Sequence, residues 1–255
     1  MSAPATLQYR VRSLARLAAA ALALGLLGGC ATVATPTPGD PLEGWNRGVL
    51  SFNDSVDEAV LKPVAEAYRD TVPQFVRTGV GNFFGNLGDA WSAANHLLQG
   101  KAEDGLGMTM RFLTNSTFGL AGVLDPATEM GLERRSEDLG QTLGRWGMGP
   151  GPYLVLPLLG PSTLRDTAAL PVDMRATSTS LVTSRDELVL GAGLLSVVHT
   201  RSELLGASRV LEQAALDRYR FLRNAYLARR RNLVYDGDPP PLPDPEDDAP
   251  GAPPR

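Results

Sequence analysis

Residues 137–166 read EDLGQTLGRWGMGPGPYLVLPLLGPSTLRD, and this stretch decides how the rest of the chain is interpreted. Within twelve residues it contains five glycines, which are Gly140, Gly144, Gly147, Gly149 and Gly151. Glycine reaches left-handed and strained backbone conformations, at an entropic cost that an ordinary surface loop has no need to bear. The pattern therefore indicates a loop whose backbone shape matters, between neighbouring helices.

A short apolar run follows the glycines and is broken by a proline. It consists of Tyr153, Leu154, Val155, Leu156, Pro157, Leu158 and Leu159. Seven residues are far fewer than the ~20 that a membrane-spanning helix needs. Non-helical apolar backbone survives at membrane depth only where protein or a water-filled cavity satisfies its polar groups. One interpretation is a hairpin over 147–160, ending at Gly160, that borders a cavity; the alternative is a buried turn between two core helices.

The first 29 residues have the pattern of a bacterial lipoprotein signal that is removed. Three arginines precede an apolar core of eleven residues, 17–27, and small residues lead to Cys30, the only cysteine. The apolar run is too short for a stable membrane span, and a secretory signal cleaved elsewhere is the remaining alternative. In the lipoprotein interpretation Cys30 becomes the first residue of the mature chain and carries acyl chains, of which two or more anchor a protein stably.

The mature chain divides into a tether, a body and a tail. Residues 30–39 alternate prolines with small polar residues and are predicted to be an extended tether. Residues 40–235 form one helical body, and residues 236–255, with eight prolines and six acids, are predicted to be disordered. The net charge of −4 becomes −7 once the signal's three arginines are removed, and the acidic tail leaves the body nearly neutral. Such a body gives no electrostatic case for binding nucleic acid.

Helical signals dominate the body. Asp40 with Pro41 and Glu43 has the pattern of a capping box, and the helix that it opens is expected to end near Val60, ahead of Pro63. Gly100 is expected to cap a later helix.

The second half of the body is also predicted to be helical. Residues 106–124 are the most apolar part of the mature chain and are expected to form two short helices. Pro171 is expected to interrupt the next helix, and an apolar helix over 186–198 is expected to precede a long one over 202–234. No β-strand is predicted, because apolar and polar residues nowhere alternate over more than four or five positions. The expected fold class is therefore all-α, with glycine-rich loops.

The residues that could carry chemistry do not form a catalytic motif. His96 and His199 are the only histidines, and neither stands in a metal-binding or general-base pattern, so His96 is expected to be structural. The serines lack the GxSxG turn of a nucleophile, and the GMGPG run is not followed by the lysine of a phosphate loop. We expect a protein that is not an enzyme and that holds neither metal nor cofactor.

The chain resembles the MlaA (VacJ) family of outer-membrane lipoproteins in four segments. They are DPLEGWNR at 40–47, GNFFGNLGDAWSAANHLLQG at 81–100, RFLTNSTFGLAGVLDPA at 111–127, and the stretch at 137–166 quoted above. A weaker match continues along DRYRFLRNAYLARR at 217–230, whereas the acidic tail and residues 173–198 depart from the family pattern.

The resemblance implies a ring of amphipathic helices in the outer membrane around a central amphipathic channel. From its glycines and its proline-broken apolar run, we hypothesise that the hairpin over 147–160 borders this channel. It further implies a lipid-anchored protein that associates with trimeric porins and removes mislocalised phospholipid from the outer leaflet. The phospholipid would pass to a soluble periplasmic carrier (MlaC-like), and its removal would maintain the lipid asymmetry of the outer membrane. A tethered periplasmic scaffold lipoprotein without lipid transport remains the alternative, and an esterase would be a third class.

Overall fold

The computed structural model describes residue 37, residues 39–214 and residues 217–241, with the backbone alone for 209–214. The predicted signal at 1–29, the predicted lipidation site Cys30, all of the tether except residues 37 and 39, and the tail beyond residue 241 lie outside the described residues. Within the described part the protein is helical except for one two-stranded sheet, so the all-α class is confirmed.

The helices and strands are named here in chain order. They are α1 Glu43–Val56, α2 Lys62–Thr71, α3 Gln74–Leu98, α4 Ala102–Thr117, α5 Pro126–Glu129, α6 Leu139–Arg145, β1 Tyr153–Leu156, β2 Gly160–Thr163, α7 Leu164–Ala176, α8 Asp186–Ala214 and α9 Arg218–Val234. A π-helical turn, Asp57–Leu61, joins α1 to α2, and a 3₁₀ turn, Thr179–Leu181, precedes α8.

The first helix does not end near Val60 as expected. Pro63 lies in the first turn of α2, where a missing N–H is tolerated, and the rod continues through it. The π-helical turn carries the irregularity, since the N–H of Lys62 reaches back five residues to the carbonyl of Asp57.

The predicted capping box at the start of α1 is also wrong. The helix begins at Glu43 without a side-chain cap. The carboxylate of Asp40 is instead buried and pairs with Arg223 at 3.1 Å. The Glu43 carboxylate accepts a hydrogen bond from the backbone N–H of Thr37. Asp40 therefore ties the chain entry to α9, and Glu43 holds residue 37 against the start of α1.

The region 106–124, expected to form two short helices, also differs from the prediction. The region 106–124 is one helix, α4, followed by turns in which Leu120 and Ala121 have positive φ. The N–H of Gly122 donates to the carbonyl of Asn115 at 2.9 Å, which closes this turn. Gly100, with a φ of +78°, ends α3 as expected.

Two helix breaks expected in the last third of the chain, at Pro171 and near residue 200, are absent. Pro171 lies inside α7 without ending it. The helix that starts at Asp186 runs through the expected break near residue 200 to Ala214, and the last helix begins at Arg218. There the Asp217 side chain accepts from the N–H of Arg220 and caps α9.

The absence of β-structure is the remaining error. Strands β1 and β2 pair antiparallel, with Tyr153 opposite Thr163 and Leu156 opposite Gly160. Burial alternates along β1, but its sequence is YLVL, so the alternation is invisible in residue type. A four-residue strand with apolar residues on both faces gives no period-2 signal.

Most of the helices pack against one another in pairs. The three-residue link 99–101 reverses the chain, so α3 and α4 run alongside each other, and α2 packs against α8. On the other side α6 packs against α7, while β1 lies on α1 and α9 covers α6 and β2.

The interior of the described part is largely polar. Arg111 is 1 % exposed; its guanidinium donates to Asp89 at 3.0 Å and also to Asp125. Arg134 adds a second ion pair to Asp89 at 2.8 Å. A buried charge is tolerated only when it is paired and hydrogen-bonded, which this network satisfies.

The large apolar side chains lie on the outside. None of the seven phenylalanines or three tryptophans is buried, and all ten lie in the described part. Phe75 and Phe118 are 77 % and 76 % exposed. A water-soluble protein buries most of its large apolar residues, so this distribution calls for an apolar environment around the molecule.

Candidate functional site

The predicted loop contains a β-hairpin with a buried base and an exposed tip. Tyr153 and Val155 of β1 are 3 % and 0 % exposed, whereas Leu158 and Leu159 at the tip are 68 % and 57 % exposed. Leu158 turns the chain with a φ of +63°, a region that is strained for a leucine. The hairpin therefore inserts one face into the body and presents two leucines outward.

Two asparagines of α1 hold the free edge of β1. The amide of Asn46 donates to the carbonyl of Tyr153 at 3.0 Å and accepts from the N–H of Val155 at 2.8 Å. Seven residues later on α1, the amide of Asn53 donates to the carbonyl of Leu156 at 3.0 Å and accepts from the N–H of Leu158 at 2.8 Å. The seven-residue spacing puts both amides on one face of the helix. The two amides pair backbone groups that a third strand would otherwise pair, because buried backbone groups need hydrogen-bond partners.

A cluster of tyrosines packs the buried face of the hairpin. The ring of Tyr153 meets the rings of Tyr219 and Tyr226 edge-on, at centroid distances of 6.1 and 6.0 Å. Val49, Val155 and the Tyr219 ring complete this apolar cluster. Burial, reinforced by the nearby charge of Asp40, raises the pKa of Tyr153 to about 12. The cluster thus remains neutral at physiological pH and fixes the base of the hairpin to α1 and α9.

An arginine of α9 joins the two helices that flank the loop. Arg230 donates to both carboxylate oxygens of Asp138, which caps α6, and to Asp166 in the first turn of α7 at 2.9 Å. Tyr226 donates to the other oxygen of Asp166 at 2.9 Å. Burial works against ionisation of Asp166, but Arg230 and Arg165 outweigh it and lower the pKa of that carboxyl group. α9 therefore clamps both ends of the glycine-rich loop.

The glycines of the loop serve different purposes. A Cβ at Gly144 would lie 2.6 Å from the guanidinium of Arg165, so this glycine permits the close approach of α6 and α7. Gly151 has a φ of +67°, and a Cβ there would lie 3.0 Å from Leu164. Gly147 and Gly160 have positive φ but open surroundings, whereas Gly149 has open space and no such backbone requirement.

The loop covers a cavity of about 400 Å³ between itself and α9. Gly147, Met148 and Gly149 line one side, and Leu227 and Val234 line the other. Its volume is in the range of small-molecule sites.

The predicted hairpin residues other than Gly151, described above, thus fall into four groups. Gly147 and Gly149 border the cavity, Tyr153 and Val155 pack inside, and the tip is exposed. Half-buried positions are Leu154, Leu156, Pro157 and Gly160. Sequence reasoning missed Asn46 and Asn53, although their seven-residue spacing on a predicted helix was the available signal.

Both histidines make contacts within the body. His96 is 2 % exposed, with Nε2 3.0 Å from the carbonyl oxygen of Arg135. His199 packs edge-on against Tyr68 at 6.1 Å. Over the described ranges, no three His, Cys, Asp or Glu side chains are grouped so that they could hold a metal ion.

The fold and site define a helical protein with a polar interior, an apolar exterior and a clamped β-hairpin. The family model for the MlaA lipoprotein matches residues 38–233, and the chain belongs to this family. The "Intermembrane phospholipid transport system lipoprotein MlaA" of Escherichia coli (strain K12) is 38 % identical over 229 residues, which is 88 % of this chain and 90 % of the relative. The protein of the same name from Shigella flexneri shows the same identity and coverage.

A solved structure has the same fold. It comes from work on the "Structural basis for maintenance of bacterial outer membrane lipid asymmetry", and superposes with a TM-score of 0.66 at 33 % identity. The match covers 76 % of this chain and 98 % of that one.

Proposed function

We propose that this lipoprotein lies in the outer membrane, anchored through Cys30 on the periplasmic side, and conducts mislocalised phospholipid out of the outer leaflet. The relatives named for intermembrane phospholipid transport support this assignment. The helices would form a ring around an amphipathic channel, bordered by the hairpin. The protein acts as a passive conduit without a catalytic step.

The observation that carries the proposal is the exposure of large apolar side chains around a polar interior. Phe75 and Phe118 are more than three-quarters exposed, while Arg111 and Asn115 are 1 % exposed. In water each exposed phenylalanine would forgo about 1.5–3 kcal/mol of burial free energy, and in a bilayer that penalty disappears.

Helix α8 strengthens the case for a membrane environment. Its stretch 186–208 is 23 residues long and apolar enough to cross a membrane, and only 11 % of its most apolar 18-residue window is buried. At 1.5 Å per residue this stretch is about 35 Å long, close to the ~30 Å hydrocarbon thickness of a bilayer. Leu190 and Leu194, four residues apart, are 65 % and 59 % exposed and share one face.

The polar interior supplies what a phospholipid headgroup needs on its way through the membrane. A charged headgroup costs several kcal/mol to bury in hydrocarbon unless polar groups accompany it. Buried amides, hydroxyls and paired charges along α3 and α4 offer such groups, and apolar surfaces accompany the tails. A trimeric porin beside the ring and a soluble periplasmic carrier (MlaC-like) below it would complete the pathway.

The proposal is tested by native mass spectrometry of the full-length lipidated protein extracted in mild detergent. We expect phospholipid bound to the protein and a porin trimer in the same particles. The competing assignment, a tethered scaffold lipoprotein, predicts protein without phospholipid. Phospholipid-free protein from cells, together with an intact outer-membrane barrier in a deletion strain, would refute lipid transport.

A further inference from the structure

A polar groove lies where the end of α3, the start of α4, α6 and the end of α9 meet. Its volume is about 660 Å³, and it shares no lining residue with the cavity beneath the glycine-rich loop. Leu233 is the one large apolar residue in its lining, and most of the other lining residues are charged or polar. Its lining suits a polar or charged ligand.

Two buried acceptors of the groove have no partner. His96 and Gln141 line it and are 2 % and 3 % exposed. Because Nε2 of His96 faces the carbonyl of Arg135, that nitrogen carries the proton and Nδ1 of the neutral ring is an acceptor. The Gln141 amide nitrogen donates to the carbonyl of Ser136 at 3.4 Å, which leaves Oε1 as an acceptor. Neither His96 Nδ1 nor Gln141 Oε1 is hydrogen-bonded within the described part.

Such atoms are informative because buried polar groups nearly always have a partner. Two orphaned acceptors in the lining of one groove indicate a ligand that donates hydrogen bonds. A primary ammonium group, with three N–H donors, meets this requirement.

The charges around the groove leave one cation over. Lys101 pairs with Glu137 at 3.1 Å and with Asp236, and Arg135 pairs with Asp104. Arg134 pairs with Asp89, a residue that does not line the groove.

Arg145 is the cation that these pairs leave over. It is exposed and makes no ion pair across the ranges that the structure describes. It lies four residues after Gln141 on α6, and therefore on the same helix face.

We propose that the groove binds a phosphoethanolamine group, whose ammonium donates to His96 Nδ1 and Gln141 Oε1 and whose phosphate pairs with Arg145. A guanidinium is well suited to a phosphate, and a charge-assisted hydrogen bond is about twice as strong as a neutral one. The group could be the headgroup of a phospholipid, in which case the inference rests on the function proposed above, or a free phosphoethanolamine ester. A phosphocholine group has a quaternary ammonium without N–H donors and leaves both acceptors unpaired.

The experiment is calorimetric titration of the full-length lipidated protein in detergent with O-phosphoethanolamine, phosphocholine and inorganic phosphate. We expect O-phosphoethanolamine to bind at least about tenfold more tightly than the other two, the equivalent of one hydrogen-bonded partner. Arg145→Gln and Gln141→Leu should each weaken binding about tenfold. Arg229→Gln is the matched control, because Arg229 is an exposed arginine of α9 outside the groove; its affinity should equal that of the wild type.

Equal affinity for phosphocholine would overturn the site. Wild-type affinity in the Arg145→Gln variant would also overturn it, because Arg145 is exposed and its substitution should leave the fold intact. Whether the bound group is a lipid headgroup or a free ester is tested by repeating the titration with the protein in vesicles. Loss of binding in phosphatidylethanolamine vesicles but not in phosphatidylcholine vesicles identifies the lipid headgroup, and retention in both identifies the free ester. If O-phosphoethanolamine fails to bind while phospholipid still copurifies, the groove is refuted and the transport function stands. If O-phosphoethanolamine binds but no phospholipid copurifies, the groove stands and the transport function is refuted.

Discussion

At the scale of single residues, side-chain amides perform the work of a missing β-strand. A two-stranded sheet leaves the outer edge of β1 with unpaired N–H and C=O groups, which are costly when buried. Asn46 and Asn53 pair three backbone groups of β1 and the N–H of Leu158 in the turn beyond it. Asn46 is 0 % exposed, so its replacement cannot be compensated by water.

Replacing Asn46 with alanine should destabilise the hairpin. The change leaves the carbonyl of Tyr153 and the N–H of Val155 buried and unpaired, at about 1–3 kcal/mol for each group. Thermal unfolding in detergent should show a clear fall in midpoint. Asn224→Ala, an exposed asparagine on α9, is the control and should change the midpoint little. Equal midpoints for the two variants would refute the role of Asn46.

Two glycines of the loop make a second matched pair. Valine at residue 151 would combine a positive φ with a Cβ 3.0 Å from Leu164, whereas valine at residue 149 meets open space. We expect Gly151→Val to weaken the outer-membrane barrier to large apolar dyes while lipidation and protein level stay normal, and Gly149→Val to behave as wild type. Normal barrier function in Gly151→Val at normal level would contradict a role of the loop shape in transport.

At the scale of elements, α9 unites parts of the chain that are far apart in sequence. Its Tyr219 packs on the hairpin, its Arg230 bridges the N-cap of α6 and the first turn of α7, and its N-cap Asp217 pairs with Arg47 of α1 at 2.8 Å. Arg223 and Arg230, each 13 % exposed in its side chain, pair inward with Asp40, Asp138 and Asp166.

The ion pair at the start of α9 should make its docking sensitive to acid. The hydrogen bond from Arg47 lowers the pKa of Asp217 to about 2. Because this is below the unfolded value near 3.9, the stabilisation is fully present above pH 4 and is lost as pH falls towards 2. Asp217→Asn keeps the cap and removes the charge.

Thermal unfolding of wild type and Asp217→Asn across this range tests the prediction. The wild type should be more stable at pH 6, and the two midpoints should converge at pH 2. A constant difference between them at both pH values would show that the charge of Asp217 is not responsible.

The elements that could be predicted from sequence are those with a local signal. Gly100 ended α3 as expected, because a left-handed C-cap depends on one residue. Pro63 and Pro171 were expected to end helices and did not, since a π-helical turn and tertiary packing accommodate them. The hairpin strands were missed because four apolar residues in a row hide a burial alternation that only α1 and α9 create.

At the scale of the whole molecule, the arrangement of polarity is the property that composition could not predict. The share of apolar residues is 43 %, ordinary for a soluble domain, yet the apolar side chains surround the polar ones. Which face of each helix points inward depends on contacts between distant segments, such as Arg111 with Asp89 and Asp125. The family motifs identified the class, and the folded chain supplies the physical reason why it suits a bilayer.

The central claim is that the apolar exterior faces lipid, and spin-label accessibility tests it most directly. Cysteines carrying a nitroxide would replace Phe75, Phe118 and Val182, all more than two-thirds exposed, in full-length protein reconstituted in vesicles. An exposed control at Arg229 reports water contact. We predict that labels at the three apolar positions collide readily with oxygen and little with a water-soluble nickel complex, and that the control behaves oppositely. Free access of the nickel complex to all four positions would contradict the account.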